Sequence, residues 1–133
     1  MKSSFTFGMR LSGTPAENRP AVEAALKSEG FGVVTEIDVA ATIKARLGID
    51  RPAYLILGAC HPQLAHRALE VEPSIGALLP CNVVLRADED GTIVEAIDPV
   101  ATMRLIDAPG MAAISTEART RLARALSRIR PRH

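Results

Sequence analysis

Two apolar stretches, each tied to a cysteine and a proline, constrain this chain more than any other feature. The first is Tyr54-Leu55-Ile56-Leu57-Gly58-Ala59-Cys60-His61-Pro62, and the second is Leu79-Pro80-Cys81-Asn82-Val83-Val84-Leu85. Both runs have the length of a buried strand. The first should end at Cys60, because Pro62 suits the first turn of a helix and Gln63 to Val71 reads as helical. The second should begin near Cys81, just past a proline that cannot donate to a sheet ladder. If those strand ends are neighbours, the only two thiols of the chain face one cleft.

The rest of the chain supplies the elements around this pair. Phe5, Phe7 and Met9 alternate with polar neighbours, as in a strand with one buried face. Thr14-Pro15-Ala16-Glu17 has the form of a capping box, and Ala21, Val22, Ala25 and Leu26 continue it as a helical stripe ended by Gly30. Phe31 to Ile37 reads as a strand, and Asp38 caps a helix from Val39 to Leu47 that Gly48 ends. Ala53 to Ala59 is apolar throughout, which suits a central strand, and Gly58 within it would let another backbone or a ligand come close. After Pro62 a helix sets Leu64, Ala65, Ala68 and Leu69 on one stripe; Pro73 closes it, and Ile75 to Leu79 is an apolar loop or short turn. Val83 to Arg86 and Thr92 to Ile97 flank an Asp90-Gly91 hairpin signal. Asp98-Pro99 opens a helix carrying Val100, Met103 and Ile106, and Ala108-Pro109-Gly110 breaks it. A last helix, about residues 116–130, turns Leu122, Ala125, Leu126 and Ile129 inward.

Strand and helix alternate three times before the hairpin, which forces at least one antiparallel pair. The expected fold is a single α+β domain over residues 1–133: a small, mostly antiparallel sheet of about five strands with helices packed mainly on one face. Its other face needs cover, and self-association as a homodimer is the simplest source.

Composition narrows the partners. Net charge is +1 and aromatics amount to 3%, so neither a nucleic-acid footprint nor a stacking platform is present. No apolar run approaches a membrane span, and residues 1–7 lack the apolar core of a signal peptide. Two cysteines are too few for a disulfide framework. The expectation is a cytoplasmic protein without nucleic-acid or membrane partners.

Gly30-Phe31-Gly32-Val33-Val34-Thr35-Glu36-Ile37-Asp38, Leu57-Gly58-Ala59-Cys60-His61-Pro62, Ala65, Ala68-Leu69, Ile75-Gly76 and Leu79-Pro80-Cys81-Asn82-Val83-Val84 together resemble the domain of unknown function 302 family. The resemblance runs from about Ala21 to Pro99. It implies a small α+β domain, often dimeric, with no established biochemical activity. It places the two family cysteines at Cys60 and Cys81, and asparagine is as usual as histidine at the position of His61.

Several chemistries are open to a cysteine pair. Cys60, just before a helix start, lies where N–H groups and the helix dipole favour a thiolate. The leading reading is a non-enzymatic binding module whose cleft, with Gly58, Cys60, His61, Cys81 and Asn82, takes a small ligand or soft metal. Cys60, His61 and Cys81 are candidate zinc or copper ligands, although adjacent side chains diverge and His66, the nearest fourth, lies five residues from His61. The alternative is a thiol-dependent redox enzyme with Cys60 attacking and Cys81 resolving, without a Cys-x-x-Cys signature. Third, unpaired cysteines often serve as small core hydrophobes, which would leave a structural dimerisation domain. Asp88, Glu89 and Asp90 lack the spacing of a calcium loop and suit a solvated turn. Arg119, Arg121, Arg124, Arg128, Arg130 and Arg132 spread over several helix faces and suit charge near a helix C-terminus.

Overall fold

The computed structural model describes residues 3–129. Its elements are β1 (Thr6–Ser12), α1 (Pro15–Ser28), β2 (Gly32–Asp38), α2 (Val39–Leu47), β3 (Tyr54–Cys60), α3 (Pro62–Val71), a 3₁₀ helix (Pro73–Leu78), β4 (Cys81–Asp88), β5 (Gly91–Ile97), α4 (Pro99–Met103) and α5 (Met111–Ser127). The strands form one sheet in the order β1-β5-β4-β3-β2, and every neighbouring pair is antiparallel. This is the expected α+β class. Among the described residues no helix is long and apolar enough to cross a membrane.

Local chemistry accounts for most boundaries. Thr14 accepts the Glu17 N–H while Glu17 accepts that of Thr14, so the capping box forms. Helix α1 ends in a Schellman arrangement: the Gly30 N–H reaches Lys27 O at 3.0 Å and the Phe31 N–H reaches Leu26 O at 3.0 Å. Asp38 accepts from Ala41 N at 2.9 Å to start α2, and Gly48 ends it in the left-handed region. Asp98 caps α4 through Val100 N at 2.9 Å.

The inward face of the sheet packs against α1 and α5. Leu11, Leu57, Val83, Leu85 and Val94 meet Val22, Leu26, Leu122 and Leu126 in the main core. A second cluster joins Leu64 and Ala68 of α3 to Ile75, Met111, Ile114 and Ala118. Helix α2 buries no residue. The opposite sheet face carries Ile37, Ile56 and Val84 side by side in register, followed by Glu95.

Four expectations need correction. Helix α5 starts at Met111, five residues before Thr116: Gly110 in a left-handed conformation replaces a side-chain cap, and Met111, Ile114 and Ala118 bury the added turn. Phe5 precedes β1 and is 56% exposed, so only Phe7 and Met9 pack against the core. The apolar loop or short turn at residues 75–79 is more regular than that, being largely a 3₁₀ helix whose Ile75 is fully buried. Helix α4 stops at Met103, short of Ile106.

Candidate functional site

Both cysteines lie at one end of the sheet and are free thiols. The β3–β4 register sets Ala59 opposite Cys81, so Cys81 shares the inward face of Ala59. Cys60, one residue on, is the last of β3 and stands opposite Gly32 of β2. By alternation its side chain leaves from the other face, yet the chain turns there into α3 and both cysteines border the same hollow. That hollow follows the seam between the two core clusters and is closed by Phe31, Leu64, Ala68, Met111, Ile114 and Ala118. Its volume is about 40 Å³. That is room for roughly three water-sized occupants, on an apolar wall that gives water few partners.

A wider vestibule of about 250 Å³ adjoins it, reached between the 3₁₀ helix and α4. Leu79, Pro80, Cys81, Pro99 and Met103 border both spaces, so Cys81 and Met103 stand where vestibule becomes hollow. The Leu79–Pro80 peptide on this rim is cis. Burial pushes the Cys81 thiol up to about 11, and the nearby Cys60 adds to the shift, since two thiolates repel.

His61 has a structural task. Its Nδ1 accepts the Leu64 N–H at 3.3 Å, which makes it the N-cap of α3. Accepting there leaves the proton of the neutral ring on Nε2. The ring meets Phe31 edge to face at a centroid separation of 5.2 Å. Burial, and then the charge of Arg121, lower its pKa. The set Cys60, His61 and Cys81 therefore does not assemble as a metal centre: among the described residues no three of His, Cys, Asp and Glu are grouped to hold an ion. His66 points away, exposed, with Glu70 Oε1 at 3.5 Å.

Gly58 and Asn82 pair across β3 and β4. A Cβ on Gly58 would lie 2.1 Å from Thr35 Oγ1 and 2.8 Å from Pro80 Cγ. The close approach that Gly58 permits is thus made by the chain's own side chains. Asn82 pairs with Gly58 on the outward face, is exposed, and borders the vestibule rather than the hollow. The acidic hairpin is occupied by Arg10, which bridges Asp88 at 2.5 Å and Asp90 at 3.3 Å.

The family profile described as "Domain of unknown function DUF302" matches residues 7–129. The chain belongs to the DUF302 family. A crystal structure of an uncharacterized conserved DUF302 protein from Bacillus stearothermophilus superposes with a TM-score of 0.88 at 29% identity, covering 96% of this chain and 100% of that one. Comparison with curated proteins gives no match. The DUF302 match extends beyond the stretch from Ala21 to Pro99 and takes in β1 from Phe7 onward and all of α5, both of which build the main core.

Two features of this DUF302 chain escape a reading by motif. Met103 and Met111 complete the sulfur-bearing border of the hollow; a methionine at helical spacing carries no signal beyond core packing. Arg121, Arg124 and Arg128 do not scatter around α5 but converge on the buried carboxylate of Glu29, with N–O separations of 3.9, 3.1 and 2.5 Å. Their i, i+3, i+7 spacing was the available signal. Arg119 instead pairs with Asp98 at 3.1 Å and lies over the Phe7 ring, while Arg130 and Arg132 fall outside the described residues.

Proposed function

We propose that this protein is a binding module, in which a small apolar or soft ligand passes the vestibule and lodges beside Cys60 and Cys81. The observation that supports it is that an apolar hollow and an open vestibule share five bordering residues, Cys81 among them. Among the described residues the titratable groups on the hollow are Cys60, His61 and Cys81. His61 is committed to its cap and Cys81 is held protonated, which favours binding over acid–base work. The same protonation slows exchange at Cys81, the resolving thiol of the redox alternative, because the thiolate is the reactive form. Unpaired thiols suit a reducing cytoplasm.

Xenon, a probe of apolar cavities, tests this reading. Saturable ¹²⁹Xe shifts, with methyl perturbations at Ala68, Ile114 and Ala118, are expected, and Ala118→Leu should abolish them. A linear, unsaturable response would overturn the hollow as a binding site.

We further propose that a second copy covers the outward sheet face. The row Ile37, Ile56 and Val84 supports this, with Ile37 50% exposed. Sedimentation should give a dimer that Ile37→Lys weakens; a monomer at high protein concentration removes the proposal.

A further inference from the structure

The sequence holds two cysteines and four methionines, and both cysteines and two of the methionines border one hollow of about 40 Å³. Of the other two, Met9 packs against the main core from β1, and Met1 lies outside the described residues. Among the described residues no carboxylate, lysine or arginine borders the hollow. A border of thiols and thioethers in apolar surroundings has the donor chemistry of a soft monovalent cation, not of zinc or a hard oxygen-seeking ion. Zinc would call on a fourth strong ligand, and the nearby imidazole is engaged with the start of α3.

Resting on the reading of the hollow as a binding site, we propose that Cys60, Cys81 and Met103 together bind one cuprous ion at the junction of hollow and vestibule. Cys60 closes β3 and Cys81 opens the adjacent β4, one register position apart. Met103 is the thioether that shares both spaces with Cys81. Its unbranched side chain can adjust to an ion without moving α4. Met111 borders only the hollow and is anchored in the second cluster, only 2% exposed. It stays a wall residue. As the ion enters, the Cys60 and Cys81 thiols release their protons to water, and copper keeps its oxidation state.

The test is anaerobic titration of the full chain with cuprous ion against bicinchoninate, with X-ray absorption at the copper edge. One copper per chain with only sulfur neighbours is expected, with release of two protons. Cys60→Ser and Cys81→Ser should each weaken binding about a hundredfold and Met103→Leu about tenfold, while Met111→Leu leaves it within about twofold. Nitrogen or oxygen neighbours, or equal binding by the double cysteine variant, would overturn the site, and the absorption spectrum of the unaltered protein settles this even where a variant misfolds. Xenon uptake separates the two readings. Saturable xenon without cuprous binding overturns the copper site alone, whereas loss of both overturns the hollow as well.

Discussion

His61 and Gly30 are in contact: a Cβ added to Gly30 would stand 2.8 Å from His61 Nε2 and 2.9 Å from Cδ2. Gly30 closes α1 at φ +88°, and His61 opens α3 by accepting the Leu64 N–H. One glycine thus ends a helix and admits the cap of another. Gly30→Ala should cost about 3 kcal/mol, because a left-handed alanine costs about 1–2 kcal/mol before the pinned ring is displaced. Gly48, at φ +70° with no atom of the described residues within 4 Å of its Cβ position, is the control. Gly48→Ala should cost only about 1 kcal/mol by urea denaturation. Equal losses at the two glycines would remove the His61 contact from the account.

The cap titrates. Burial, with Arg121, lowers the His61 pKa against the smaller raising effects of its own backbone hydrogen bond and of Glu117 and Glu29. Above the unfolded value of about 6.5 both states are neutral and the cap contributes fully. As pH falls below that value the unfolded chain takes up a proton that the folded ring resists, so stability declines toward and through the folded pKa. His61→Asn keeps an acceptor at the N-cap without titrating. At pH 8 it should match the parent within about 0.5 kcal/mol, while His61→Ala loses about 1 kcal/mol. Between pH 6.5 and 5 the asparagine variant should show a flatter stability curve. Parallel curves would mean that His61 carries no pH dependence.

Cys81 should be slow to alkylate at neutral pH. With its pKa near 11, roughly one thiol in 3,000 is ionised at pH 7.5. Its iodoacetamide rate, followed by peptide mass spectrometry, should rise about tenfold per pH unit through pH 9 and level off only near 11. Because Cys60 contributes to the shift, Cys60→Ser should bring the levelling point down. Levelling near 8.5 in the unaltered protein would show that the thiol is not held back by burial.

Local signals accounted for much of this fold. The Thr14–Glu17 box, the Asp38 and Gly48 ends of α2 and the Asp90-Gly91 turn are written in adjacent residues, and each forms where its chemistry places it. The start of α5 was hidden because Gly110 caps by backbone conformation alone, and Thr116-Glu117 looks more like a beginning than Gly110-Met111 does. The thiols were legible as a pair because one closes a strand and the other opens one. Their surroundings were not, since the hollow lies between two clusters assembled from α3, α4 and α5. His61 looked available as a ligand because histidine is an uncommon N-cap. Only its hydrogen bond to Leu64 reveals the role.

The arginine stripe of α5 supports the remaining prediction. Glu29 ends α1 with its side chain 4% exposed, and Arg124 and Arg128 reach it from α5 at 3.1 and 2.5 Å. Arg128 also donates to Ser28 Oγ at 2.9 Å, so the contact straps the C-terminal ends of both core helices together. Glu29→Gln keeps the shape but leaves the guanidinium groups without a counter-charge. A fully buried pair broken in this way loses about 3–5 kcal/mol. Here the side chains of Arg124 and Arg128 are 50% and 47% exposed and can turn to water, so about 1–2 kcal/mol is expected. Arg124→Ala alone should cost under about 1 kcal/mol, because Arg128 still pairs the carboxylate. Urea denaturation at 50 mM and 1 M salt checks the electrostatic origin: the gap between parent and Glu29→Gln should narrow at high salt. An unchanged gap would assign the loss to packing.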